Sequence, residues 1–148
     1  MTRFKGSAEY SVDSKGRLAI PAKMRAAMSP EAGGRFTITS GLDRCIQLFP
    51  ANEWAKKEEE MALLNQYRTE VRAAIRLMLA NADDADLDGQ GRVMLPKAHL
   101  EAAGINGTAL VVGMLDHLEI WNPDAFREHL NQKSAEAETL VERVMGGM

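Results

Sequence analysis

At 148 residues, 45% of them hydrophobic and 26% charged, the chain is large enough to be one domain or two small fused units with a buried core. No apolar run approaches the ~18 residues of a membrane-spanning helix, and the first ten residues hold no signal-peptide stretch, so a cytoplasmic protein with no membrane partner is expected. The net charge of −3 argues against a nucleic-acid partner until its distribution is read: residues 1–25 hold six cations against Glu9 and Asp13, leaving +4 there and −7 on the remainder. A basic N-terminal module on an acidic body is the pattern of a protein that meets phosphate with one face.

In chain order, Ala8, Tyr10 and Val12 alternate with Ser7, Glu9 and Ser11, and Leu18 and Ile20 alternate again after a short break, which predicts two strands around a turn. Asp13 suits the first turn position because its carboxylate accepts backbone N–H bonds, and Gly16 supplies the positive φ that closes a hairpin. Lys15 and Arg17 then sit at the hairpin tip. Pro21 opens a helix over residues 22–28, stopped near Pro30. Strands follow over 36–40 and 46–49, with Cys45 read as an ordinary half-buried strand residue. Residues 53–80 are helical in composition. Met61, Leu64, Val71, Ile75 and Met78 form an apolar stripe, with a break expected at Asn65 and Gln66. A second hairpin, a helix over 97–103 opened by Pro96 and stopped by Gly104, and strands over 109–112 and 118–121 come next. Asn122 and Pro123 then start an amphipathic tail carrying Phe126, Leu130, Leu140, Val141 and Val144.

The second half echoes the first. DSKGRLAIP, from Asp13 to Pro21, returns as DGQGRVMLP from Asp88 to Pro96, and LDRCIQLFP from Leu42 to Pro50 is answered by LDHLEIWNP from Leu115 to Pro123. Two matched blocks in one order imply a duplicated module: residues 5–54 and 82–127, joined by a helical linker over 55–81 and followed by a helical tail over 128–148. A unit of about 45 residues is too small to bury a good core alone, so the copies have to share one. The expected fold is α+β. A duplicated β-hairpin/helix module exchanges hairpins about a pseudo-twofold axis, giving one shared barrel with flanking helices and both turns (Asp13 with Gly16, Asp88 with Gly91) on its surface.

An arginine on a rigid hairpin can donate two N–H groups to guanine N7 and O6, whereas a lysine beside it mainly meets phosphate. A salt bridge from Arg17 to Asp13 is the structural alternative, and neither excludes the other. Asp84, Asp86, Asp88 and Gly89 match the first half of a calcium loop, but Leu95 stands where the bidentate glutamate is required. His99, His117 and His129 fall on separate elements without metal spacing, and no Ser, His and Asp set stands out, so neither a metal, a cofactor nor an enzyme is expected.

The segments FKGSAEYSVDSKGRLAIPAKMR, GLDRCIQLFP, DLDGQGRVMLP and LDHLEIW resemble the MraZ family of bacterial regulators, which carry two AbrB-like swapped-hairpin modules. The resemblance covers residues 3–127. It implies a sequence-specific, double-stranded-DNA-binding repressor of division and cell-wall genes, associated with the nucleoid and assembled as a ring-shaped homo-oligomer on short tandem promoter repeats. It carries DNA contact onto Lys15 and Arg17, and more weakly onto Arg3, Lys5 and Arg92. Gln90 departs from the lysine of the first copy, and the linker lacks the proline-containing turn and aromatic cluster expected near Leu77 to Leu79. A protein-binding assembly module of antitoxin-like kind, engaging a partner through its acidic helices, is the alternative.

Overall fold

In the computed structural model, which describes residues 3–40 and 42–146, the alternating segments become strands; the last two residues of the expected tail lie outside the described residues. The first copy forms β1 (Ser7–Ser11), β2 (Arg17–Ala19), α1 (Ala22–Ala27), a 3-10 turn (Pro30–Ala32), β3 (Arg35–Ser40) and β4 (Ile46–Pro50). Next come α2 (Ala51–Ala62), which begins inside the first copy's expected bounds, and α3 (Thr69–Leu79). The second copy forms β5 (Asp83–Asp86), β6 (Arg92–Met94), α4 (Lys97–Ala102), β7 (Thr108–Met114) and β8 (His117–Trp121), and the tail is α5 (Pro123–Ser134) and α6 (Ala137–Met145). Proline initiates several of these helices for one reason: Pro21, Pro50 and Pro96 sit at N-caps with φ between −52° and −59°, a value their rings impose.

All strand pairings are antiparallel, and the architecture is α+β. The large sheet runs β1-β7-β8-β4-β3-β5, and the order reads the same from either end when each strand is exchanged for its counterpart in the other copy. Each copy's first strand is paired with the other copy's third, β1 on β7 and β5 on β3, while β2 and β6 form a separate two-stranded ladder. The expected barrel is not closed: β1 and β5 are the two edges of an open sheet. Leu18 faces Val93 at the centre of the ladder, and both are fully buried. They join Ile20, Leu95, Phe36, Ile38, Ile46, Leu48, Val111, Leu118 and Ile120 in a single core drawn from both copies. Burying side chains of this size contributes about 1.5–3 kcal/mol each, so neither copy could keep its core without the other.

Two local readings change and one holds. α2 starts at Ala51, two residues before the expected Glu53, because Pro50 both ends β4 and caps the helix. Its first turns pack through Trp54 onto Phe49, ring centroids 5.4 Å apart. The break between α2 and α3 falls where expected, since Asn65 Oδ1 accepts the Tyr67 N–H at 3.1 Å and turns the chain out of the helix. Cys45 is not half-buried in a strand: it lies in the turn before β4 with 1% exposure, and burial first, then nearby Glu119 and Asp43, push its thiol far above the ordinary range. A thiol reagent such as dithionitrobenzoate is therefore expected to leave the native protein unlabelled and to react once denaturant opens it; rapid labelling of the native state would contradict this burial.

The helical stripes are only partly covered. Met61, Val71, Ile75 and Met78 are half-buried, whereas Leu64 of the same stripe is exposed, α3 has no fully buried residue, and Leu63 at the end of α2, Tyr67 before α3 and Leu77 in its last turn lie open. In the tail, Val141, Val144 and Met145 are also exposed.

Candidate nucleic-acid interface

The first turn is built by its aspartate. Asp13 Oδ1 accepts the backbone N–H groups of Lys15 (3.0 Å) and Arg17 (2.9 Å), and Oδ2 accepts Arg17 Nε at 2.6 Å. Gly16 closes the loop at φ +84°, with its N–H donating to Asp13 O at 3.0 Å. The second turn repeats this: Asp88 accepts the N–H groups of Gln90 and Arg92 and the Nε of Arg92, around Gly91 at φ +75°. These donors, the Arg17 and Arg92 backbone N–H groups foremost, hold both carboxyls below the usual carboxylate range. Because the folded value is the lower one, the stabilisation is present above the unfolded pKa of about 4 and lost only as pH falls through the folded value. At neutral pH both turns keep their ionised scaffold.

The β2–β6 ladder brings the two turns together. Gly16 O accepts Leu95 N–H at 2.8 Å and Gly91 O accepts Ile20 N–H at 2.9 Å, so each turn is bonded to the strand that follows the other. Arg92 Nη1 lies 3.9 Å from Asp13 Oδ2, linking the motifs in one chain of charges from Arg17 through Asp13 and Arg92 to Asp88. Arg17 and Arg92 are 32% and 27% exposed, held by their aspartates yet open to solvent, and Lys15 is exposed. Both outcomes weighed for Arg17 are thus compatible: the salt bridge exists and uses Nε, leaving the Nη groups as donors.

Arg3 and Lys5 are not with the turns. Phe4 pairs with Leu115 at the opposite end of β1, and Arg3 and Lys5 line a small hollow there with Lys23, Met24 and Ala27. A five-residue strand separates the two groups by roughly 16 Å. Arg25 is a residue the sequence reading passed over. Its guanidinium lies over the second turn, and a Cβ added to Gly91 would meet Arg25 Cζ at 2.7 Å. Only its place in the +4 count could have drawn notice to it.

Other candidates are absorbed by the fold. Asp84 accepts from Thr37, Asp86 from Arg35 and Asp88 from its own turn, and among the described residues no His, Cys, Asp and Glu grouping could hold a metal. The fold does assemble a set that the linear sequence did not suggest: Ser40 Oγ is 2.8 Å from His99 Nδ1, and His99 Nε2 is 2.9 Å from Asp83 Oδ2. Here the serine is 6% exposed and also accepts Asn81 Nδ2 at 3.0 Å, while the aspartate faces solvent. With the nucleophile buried and the acid outside, the set is a polar pin fastening α4 to β3 and β5.

The family model described as "MraZ protein, putative antitoxin-like" matches residues 3–76 and 78–146. The chain is 34% identical to the transcriptional regulator MraZ of Desulforamulus reducens over 142 residues, covering 96% of this chain and 97% of that protein. It is 35% identical to the protein of that name from Moorella thermoacetica, covering 96% of each. An Acidovorax relative of the same name is 39% identical over 119 residues, 80% of this chain and 82% of its own. With its doubled, Asp-braced DxxGR turn and a match running along nearly its whole length, the chain belongs to the MraZ family.

Proposed function

We propose that this chain is a double-stranded-DNA-binding transcriptional regulator whose paired DxxGR turns, Asp13 to Arg17 and Asp88 to Arg92, form the contact surface. One observation carries the reading: two aspartate-braced arginines presented side by side by a two-stranded ladder. Bracing Nε fixes the fork before DNA arrives, so the Nη groups of Arg17 can meet guanine N7 and O6 without first losing rotamer freedom. Lys15, exposed at the turn, supplies phosphate attraction, and Arg3 and Lys5 a second basic group at the far end of β1. The name shared by the relatives supports the regulatory role.

The same reading takes residues 5–54 and 82–127 as two AbrB-like modules that swap hairpins, a view favoured by the exchange of β1 and β5 between copies. It makes the protein a repressor of division and cell-wall genes, cytoplasmic and nucleoid-associated, bound to short tandem promoter repeats as a ring. The open apolar side chains of α3 and α6 favour self-association of that kind. A second reading, a protein-binding module of antitoxin-like kind, draws on those same exposed residues together with Glu58, Glu59 and Glu60 on α2.

Footprinting on the DNA upstream of the protein's own gene, with light scattering alongside, tests both. Evenly spaced protected repeats and a stable mass above that of a dimer are expected. A stable monomer would reject the ring, and uniform, sequence-independent protection would reject specific recognition.

A further inference from the structure

Among the positions at which the two copies differ, one pair reaches across onto the turns. Counted from the motif prolines Pro21 and Pro96, Arg25 on α1 and Leu100 on α4 occupy the same place. Each side chain reaches across to the other copy's turn glycine: a Cβ on Gly16 would lie 3.5 Å from Leu100 Cδ1, and one on Gly91 would lie 2.7 Å from Arg25 Cζ. Arg25 Nε donates to Ile20 O at 3.0 Å, and the Ile20 N–H is the group that binds Gly91 O. The guanidinium is therefore fixed against the second turn by two successive bonds. Arg25 is exposed, and among the described residues its terminal N–H groups have no carboxylate partner.

The charges at the two turns are complementary in origin. Within each motif, arginine and aspartate neutralise one another, so neither pair alone gives the surface a net positive charge. The first turn adds Lys15 from its own loop and is packed by the uncharged Leu100. The second has Gln90 in the place of that lysine and is packed by Arg25. Each turn thus holds one cation that no motif aspartate cancels, supplied within the loop in the first copy and across the pseudo-twofold axis in the second.

We propose that Arg25 is the phosphate-contacting cation of the second turn, standing in for the lysine absent at Gln90, so that both turns engage duplex DNA. This rests on the DNA-binding reading above and deepens it: the second copy becomes a contact surface completed by a residue of the first.

Arg25→Leu is the informative variant because it reproduces the packing that Leu100 already makes on Gly16. Full-length protein is titrated by fluorescence anisotropy with a duplex from upstream of its gene and with a scrambled duplex of equal length, over a series of KCl concentrations. The variant is expected to keep the parent's melting temperature and oligomer size and to weaken binding to both duplexes. The slope of log K against log salt should shrink by about 0.9 for each phosphate that is no longer neutralised. Gln90→Lys in the Arg25→Leu background should return the slope, by restoring a cation within the second loop. An Arg25→Leu protein with the parent's slope overturns the proposal, as does a reduced slope that Gln90→Lys does not restore in a protein of parental stability. If the parent binds neither duplex, the DNA-binding reading itself fails. If the parent binds and Lys15→Ala lowers the slope while Arg25→Leu does not, only the role of Arg25 fails.

Discussion

Arg17→Ala is expected to abolish preference for the cognate site while leaving the fold and the assembly intact. Truncation removes the Nη donors, and a bidentate arginine–guanine contact is worth about 1–3 kcal/mol of discrimination, roughly 5- to 150-fold, at each turn that reads a base. Every subunit carries the same lesion, so the loss multiplies over a ring. The fold should tolerate the change because Asp13 keeps its bonds to the Lys15 and Arg17 backbone N–H groups, which do not depend on the side chain, and Arg17 is partly exposed, so no cavity opens. Lys15→Ala should behave differently, weakening binding to cognate and scrambled DNA alike and flattening its salt dependence. Titrations of both variants on both duplexes, with a sizing column alongside, separate these effects. An Arg17→Ala protein that stays assembled and still prefers the cognate site would sink the assignment of base reading to this arginine.

Gly16→Ala should produce a clearly larger loss of stability than Gly91→Ala. Both glycines have positive φ, where a Cβ costs roughly 1–2 kcal/mol. At Gly16 the new methyl would also stand 2.5 Å from Leu95 O, a backbone atom fixed by the ladder that accompanies the buried core. Relieving that contact means parting β2 from β6 where Leu18 meets Val93, which adds to the φ penalty a cost of the kind seen in overpacked cores, about 1–3 kcal/mol. At Gly91 the nearest atoms belong to the Arg25 side chain, whose flexible stem can move aside. Urea melts of the two variants at neutral pH measure the difference, and equal midpoints would show that the close approach to Leu95 is not a constraint.

Much of the architecture could be read before any coordinates. The duplication, the turn chemistry of Asp13 with Gly16, the proline-started helices and the break at Asn65 are all local or repetitive signals. They depend on residues a few positions apart, and hydrogen bonds of that range form in the same way in any context. Cys45 departs from its strand reading because its burial in the turn before β4 is set by the folded chain around it, which local alternation does not encode. The Ser40, His99 and Asp83 pin was missed for the same reason, since its members lie on β3, α4 and β5.

The candidate site divides along the same line. From the residues alone came the motif itself: an aspartate that accepts backbone N–H groups, where glycine must stand, and that Lys15 and Arg17 share one turn, with the Arg17–Asp13 ion pair only as an alternative. The tertiary structure decided how the two turns meet, with Arg92 reaching Asp13, Arg25 crossing onto Gly91, and Arg3 and Lys5 set apart at the other end of β1. A turn is fixed by bonds across four or five residues, so the sequence can specify it by itself. Its neighbours are fixed by which strands pair to bury one common core, and that choice is made only when two halves, 75 residues apart in their motifs, fold onto each other.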